Sequence, residues 1–305
     1  MKLVAIILTF NEEQHLRRCI ESVEGVVDEV LVLDCYSTDN TLKIANELGA
    51  RVLQKVWVNY ASQFNYAIKQ LGKDVDWVLR IDADEYLTPA LAFEIQQNIV
   101  NLPSYVDGVN FPRRMTFMGR LIRHGGVFPV QVLRLFRYGA GECENRWMDE
   151  HIKVAGKTVN FKNELIDDNR NSLTWWINKH NKYASREVVD LLNLEYGFMT
   201  HDTVASITRG SQASLKRWVK ENVYARLPAG FRAFIYFCYR YFLRLGFLDG
   251  KEGTAFHVLQ GFWYRYLVDV KLAEVKLYMR SNKCTVQRGI RDVLGIEVGF
   301  SGEQA

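Results

Sequence analysis

Asp82 and Asp84 stand one residue apart, directly after the apolar run Asp76-Trp77-Val78-Leu79-Arg80-Ile81. At the end of a buried strand such a pair can aim oxygens at one divalent cation. Hard oxygen donors suit Mg²⁺ or Mn²⁺, which share their remaining positions with phosphates and water. A cation held this way offsets diphosphate charge and steadies a departing nucleoside diphosphate. Polar residues close two further apolar runs, Thr9-Phe10-Asn11-Glu12 after Leu3–Leu8 and Asp34-Cys35-Tyr36-Ser37-Thr38-Asp39 after Glu29–Leu33. A single Asp after a strand is commonly a cap or turn residue. Three polar strand ends on one rim point instead to a ligand site. No GxGxxG follows any strand, so a dinucleotide fingerprint is absent.

The elements that must position these residues alternate. Strand patterns over Leu3–Thr9, Glu29–Leu33, Arg51–Val56 and Trp77–Ile81 are separated by helical patterns over Glu12–Val23, 37–48 and Tyr60–Leu71. Leu16, Cys19, Ile20 and Val23 fall at i, i+3, i+4 and i+7, one face of a helix. Such alternation predicts crossover connections and a mostly parallel sheet, with ligands bound beyond the carboxyl ends of its strands.

Taken together, Leu8-Thr9-Phe10-Asn11-Glu12, Val30-Leu31-Val32-Leu33-Asp34-Cys35-Tyr36-Ser37-Thr38-Asp39-Asn40-Thr41 and Leu79-Arg80-Ile81-Asp82-Ala83-Asp84-Glu85 resemble the inverting family 2 glycosyltransferases. The likeness spans roughly residues 1–160. One departure is Asp34-Cys35-Tyr36-Ser37, where that family often has Asp-Asp-Gly-Ser. The resemblance implies an α/β fold of the GT-A type, a Rossmann-like mixed sheet flanked by helices. It implies that Thr9, Asn11, Glu12, Asp34, Asn65, Asp82 and Ala83 line a nucleotide-sugar pocket, with Asp34 accepting from the base. Asp82 would lie near the ribose or the metal, and Asp84 would coordinate Mn²⁺ or Mg²⁺. An inverting transfer needs one general base to take the acceptor's proton. In Asn145-Arg146-Trp147-Met148-Asp149-Glu150-His151-Ile152 the resemblance assigns that role to Glu150, with Asp149 as the fallback.

Between these acidic stretches, Pro112–Gly126 carries Arg113, Arg114, Arg120, Arg123 and His124, with Gly119, Gly125 and Gly126. It reads as a mobile basic loop that closes over a donor diphosphate or grips a phosphate on the acceptor. Arg134 and Arg137 alternate with apolar residues, as on a half-buried strand.

From about Ser172 the pattern turns helical. On one continuous helix over Phe231–Leu248, Arg232, Arg240 and Arg244 share a side, opposite Phe231, Phe234, Tyr241, Phe242 and Leu245. That is the pattern of an amphipathic helix lying in a bilayer surface. A second aromatic helix follows from Phe256 to Val270. The expected organisation is a catalytic domain over residues 1–225, which binds the nucleotide-sugar through residues 1–100 and supplies the acceptor site and base from residues 101–225. A helical membrane-associating region over residues 226–305 would follow it.

Composition narrows the classes. The net charge of +4, from 39 basic and 35 acidic residues, is too balanced for a nucleic-acid partner. Five scattered cysteines without CxxC spacing exclude a disulfide scaffold or structural zinc, and reduced thiols fit a cytoplasmic location. No apolar run reaches the roughly 18 residues of a spanning helix. The resemblance implies transfer of a hexose from a UDP-sugar to a lipid-linked oligosaccharide or lipopolysaccharide acceptor in bacterial cell-surface polysaccharide synthesis. The enzyme would sit peripherally on anionic lipid at the inner face of the cytoplasmic membrane. Two rivals are a sugar nucleotidyltransferase, which would want a glycine-rich basic loop near the first strand, and a non-catalytic membrane- or carbohydrate-binding relative.

Overall fold

The computed structural model describes residues 1–144, 151–199 and 230–298. The chain forms two compact units. One comprises Met1–Asn171 with Leu248–Gly253; the other comprises Ser172–Phe247 and Thr254–Ala305. The second unit begins at Ser172, where the helical pattern begins, because the long helix that starts there builds its core with later helices; the expected boundary at 225/226 lies outside the described residues.

The first unit is the mixed α/β architecture that the sequence implies. β1 (Leu3–Thr9), β2 (Glu29–Asp34), β3 (Arg51–Gln54) and β4 (Trp77–Arg80) are parallel, in the order β3-β2-β1-β4. The sheet continues through β8 (Val130–Arg137), β6 (Val106–Phe117), β12 (Leu165–Asp167) and β5 (Glu85–Leu87). β8 is antiparallel to both β4 and β6, and β12 runs parallel to β6. The carboxyl ends of β1, β2, β4, β6 and β12 therefore share one rim with the start of β8.

The period of two along β1 divides the core. Leu3, Ala5 and Ile7 pack with Leu16, Cys19 and Ile20 of α1 (Leu16–Val23) and Leu91 of α4 (Pro89–Asn98). Val4 and Ile6 pack on the other face with Ala61, Phe64 and Ala67 of α3 (Tyr60–Lys69). Both faces are covered, as a parallel sheet requires. The helix expected from Glu12 starts only at Leu16, because Asn11 sits at φ 56° and the next residues make a turn.

The basic connection between β6 and β8 begins as a hairpin. β7 (Arg120–Leu121) pairs with the end of β6, and the turn residues Met118 and Gly119 both have positive φ (51° and 79°). A type I′ turn needs that at both central positions. Gly119 thus serves a tight turn. Gly125 and Gly126 also lie in the left-handed region.

In the second unit α5 (Leu173–Tyr196) opens on Ser172, whose hydroxyl accepts from the Trp175 N–H, and ends on Gly197 at φ 64°. Its Ala184, Val188, Val189 and Leu192 pack with Val268 and Val275 of the Tyr264–Asn282 helix and with Val286 and Ile290 of the Val286–Leu294 helix.

The stretch expected as one helix from Phe231 to Leu248 is broken. Phe231–Cys238 is α-helical, Tyr239–Leu243 is π-helical, and Gly246–Asp249 is a 3₁₀ turn after Leu245 at φ 58°. A wheel drawn at one constant angle per residue loses register across the π segment. The expected arginine face is accordingly corrected. Arg232 points inward, with its Nε 2.8 Å from an oxygen of Asp269. Arg240 is 2% exposed and sits 5.6 and 5.4 Å from the Tyr236 and Phe256 ring centres. Of the three, only Arg244 is exposed. The apolar side faces outward at Phe231, Phe234, Phe242, Leu243 (76% exposed) and Leu245. No helix of the described residues is long and apolar enough to cross a membrane. The five cysteines are free.

Candidate active site

The β1 and β2 ends are stapled together. Asp34 is fully buried, and its Oδ1 accepts from Thr9 Oγ1 (2.9 Å) and Ser37 Oγ (2.5 Å). Its Oδ2 accepts from the Ser37 N–H (2.8 Å) and Gln54 Nε2 (3.1 Å). Asn11 uses its side-chain oxygen on the Thr38 N–H (2.8 Å) and its own N–H on Ser37 Oγ (2.8 Å). Glu12 anchors from both ends, its N–H to Thr41 Oγ1 (2.8 Å) and its Oε2 beside His15 Nδ1 (2.6 Å). His15 Nε2 accepts from the Arg170 N–H (2.8 Å), so the proton sits on Nδ1 and is donated to Glu12. These bonds convert three flexible loop ends into a rigid floor.

The β4 end carries the charge. Asp82 Oδ1 accepts from the Tyr60 hydroxyl (2.7 Å) and Oδ2 from Arg134 (2.8 Å), with Arg80 Nε 3.6 Å away. Arg134 is 4% exposed and also pairs with Glu85. Glu85 closes the turn by accepting from the Asp82 N–H at 3.1 Å. Burial alone would push the Asp82 carboxyl up, but Arg134 and Arg80 outweigh it and hold the group well below the usual carboxylate range. Glu85 is the reverse. Burial pushes it up to about 7, against Arg134 and with the Asp82 charge adding to the rise. Arg134 lies far above its ordinary value, since the two carboxylates overcome its burial.

Asp84 is placed differently. Its backbone carbonyl accepts from the Asp168 N–H (2.9 Å), and its Oδ2 accepts from Asn169 Nδ2 (2.9 Å). No hydrogen bond from the described residues falls on its other oxygen. Mg²⁺ and Mn²⁺ can be held by one or two carboxylates with substrate phosphates and water. Asp84 fits that arrangement, whereas both oxygens of Asp82 already accept from protein donors. No group of three or more His, Cys, Asp or Glu among the described residues is arranged to hold a metal.

Of the sequence candidates, the structure brings Thr9, Asn11, Glu12, Asp34, Asp82, Ala83 and Asp84 to the shared rim. Ala83 is buried between the two aspartates. Asn65 is elsewhere: its carboxamide bonds both the N–H and the carbonyl of Cys143, at 2.8 Å each, and ties α3 to β9 (Gly141–Cys143). Arg113 lies 3.8 Å from Asp167, Arg114 pairs with Glu164, and Arg120 is 3.7 Å from Glu252. Asp149 and Glu150 lie outside the described residues.

Several working residues are not evident from the sequence: Arg134 as the counter-charge, Glu85 and Tyr60 around Asp82, Asn169 on Asp84, and His15 under Glu12. The alternation of Arg134 and Arg137 with apolar neighbours was the available signal. Arg134 turns into the site, while Arg137 bonds the Val106 carbonyl at the far end of the sheet (2.9 Å) and stacks on Trp77.

Comparison with known proteins agrees with this geometry. Residues 4–140 match the family model "Glycosyl transferase family 2". A 95-residue stretch is 45% identical to an uncharacterized glycosyltransferase of Rickettsia felis and spans 31% of this chain and 33% of that protein. An uncharacterized glycosyltransferase of Rickettsia typhi is 28% identical over 92% of this chain and 89% of its own length. The lipopolysaccharide core biosynthesis glycosyltransferase LpsC of Rhizobium meliloti is 29% identical over 61% of this chain and 70% of its own length. The chain thus carries, over residues 4–140, a region that matches the family 2 glycosyltransferase model.

Proposed function

We propose that this chain is an inverting enzyme that moves a hexose from a UDP-sugar to a lipid-linked or lipopolysaccharide glycan. The observation that carries this reading is Asp84, fixed by Asn169 with one carboxylate oxygen left over, on a rim otherwise rigid and charge-balanced. Asp84 would hold Mn²⁺ or Mg²⁺ together with the donor diphosphate, and that cation would offset the negative charge of the leaving group. Asp82, neutralised by Arg134, keeps the strand end rigid behind it. Thr9, Asn11, Glu12 and Asp34 shape the floor for the nucleoside, and Glu150 takes the proton of the acceptor hydroxyl. The glycan acceptor is supported by the likeness to LpsC.

The test is donor hydrolysis. The chain should release UDP slowly from one member of a UDP-sugar panel when Mn²⁺ or Mg²⁺ is added. Asp84→Asn should lose that activity by about 10²–10³-fold, the scale on which a preorganised electrostatic contact acts, and should no longer gain UDP affinity from the metal. Release of pyrophosphate would favour a sugar nucleotidyltransferase. No turnover with any donor would favour a non-catalytic relative.

The outward apolar side of 231–245 supports docking on the inner face of the cytoplasmic membrane, where the acceptor's lipid would reside. Each large apolar side chain that leaves water contributes about 1.5–3 kcal/mol. Phe242→Ser with Leu243→Ser should therefore lower binding to phosphatidylglycerol-containing vesicles at least about tenfold. Unchanged vesicle binding would sink the membrane assignment.

A further inference from the structure

Three of the four arginines around the β6–β8 connection already face carboxylates: Arg113 meets Asp167, Arg114 meets Glu164 and stacks on Phe128 at 4.1 Å, and Arg120 meets Glu252. Arg123 differs. It is exposed, and among the described residues no carboxylate pairs with its guanidinium. What holds it is its backbone.

The holding group is Asp249, 2% exposed. Its carboxylate accepts from the Arg123 N–H (3.1 and 3.2 Å) and the His124 N–H (2.9 Å), and it lies 2.7 Å from His124 Nδ1. These donors hold its carboxyl below the ordinary range although burial opposes them. A buried carboxylate persists only when its oxygens are satisfied, and here one short loop satisfies them all. Asp249 belongs to Leu248–Gly253, the segment from late in the chain that folds with the first unit. Gly250 lets it fit, with φ +76° and the Arg120 guanidinium 2.9 Å from where a Cβ would stand. The connection so strapped leaves the sheet at the carboxyl end of β6, on the rim that also carries Asp84.

The geometry points to Arg123 as the residue that grips a phosphate group at this rim, and to Asp249 as the positioning residue that sets its place. Of the four arginines, Arg123 is the one whose charge no carboxylate among the described residues answers, and the strap fixes its main chain without neutralising its head. A guanidinium presents a fork of donors matched to phosphate oxygens. The phosphate is either in the donor's diphosphate or on the glycan acceptor. This inference rests on the glycosyltransferase reading above.

The experiment uses the full chain with Arg123→Gln, Asp249→Asn and the double variant. Calorimetry compares UDP with uridine in the presence of Mg²⁺. Transfer kinetics compare lipopolysaccharide truncated at its inner core before and after chemical dephosphorylation. Arg123→Gln should weaken UDP binding but not uridine binding by about tenfold, which identifies the donor, or raise KM about tenfold for the phosphorylated acceptor alone, which identifies the acceptor. Asp249→Asn should move the same quantity by at least about threefold, and the double variant should be no worse than Arg123→Gln. If Asp249→Asn does not fold, Gly250→Ala disturbs the same strap and is read identically. An Arg123→Gln variant unchanged in both assays overturns the proposal. So does an Asp249 variant that lowers Tm while leaving the Arg123-dependent quantity alone. Indifference to Arg123 in both assays defeats only this inference; a parent chain that binds no UDP defeats the enzymatic reading itself.

Discussion

Arg134→Leu should destabilise the protein by about 3–5 kcal/mol, the scale for removing one partner of a buried ion pair. Arg134 is the only described residue that touches both Asp82 and Glu85 with a positive charge. Leucine would fill much of the space and leave the buried Glu85 carboxylate beside the half-buried Asp82 without its counter-charge. The pH dependence follows from the same charges. Burial already pushes Glu85 up to about 7, and Arg134 opposes that rise. Without the guanidinium both carboxyls move upward. A carboxyl whose folded value exceeds its unfolded value binds a proton that the unfolded chain has lost, so stability falls as pH rises through that interval. The deficit should therefore be larger at pH 8 than at pH 5. Urea unfolding of parent and variant at both values checks this. A deficit under about 1 kcal/mol at pH 8 would mean the trio is solvated and not a buried ion cluster. Pairing the change with Glu85→Leu should recover some of the loss, since one stranded charge is then removed.

The trio also marks where sequence stops being informative. The strands around it were legible because β1, β2 and β4 are apolar along their whole length and end abruptly in polar residues. That pattern follows from burial on two faces and from ligand sites lying at strand ends. Asp34, Asp82 and Asp84 were found for the same reason. Arg134 was not, because a half-buried strand with alternating arginines says nothing about which neighbour it will meet; that depends on β8 lying antiparallel beside β4. Asn169 was hidden for a similar reason, since its contact with Asp84 spans 85 residues of chain. Local periodicity also failed in the aromatic segment. There a π-helical stretch altered the angular step, two arginines found partners inside the fold, and the apolar side turned outward. The strap at Asp249 leaves no local mark in the sequence, because the residues it fastens lie about 125 positions away.

Glu150→Gln should lower glycosyl transfer by about 10²–10⁴-fold, the range contributed by one general base, and leave UDP affinity within about threefold of the parent. The substitution keeps size and hydrogen-bonding shape but cannot take a proton. An inverting displacement needs that proton removed as the acceptor oxygen approaches the anomeric carbon from the side opposite the diphosphate. Nothing in donor binding requires it, so calorimetry with UDP and Mg²⁺ separates the base from the nucleotide site. Asp84→Asn should fail in the converse way, losing metal-dependent UDP binding along with transfer. If Glu150→Gln still transfers at the parent rate, Asp149→Asn is the variant that must carry the loss. Should both remain active, no carboxylate of the 145–152 segment serves as base, and an inverting transfer would have to draw its proton acceptor from the rim built by β1, β2 and β4.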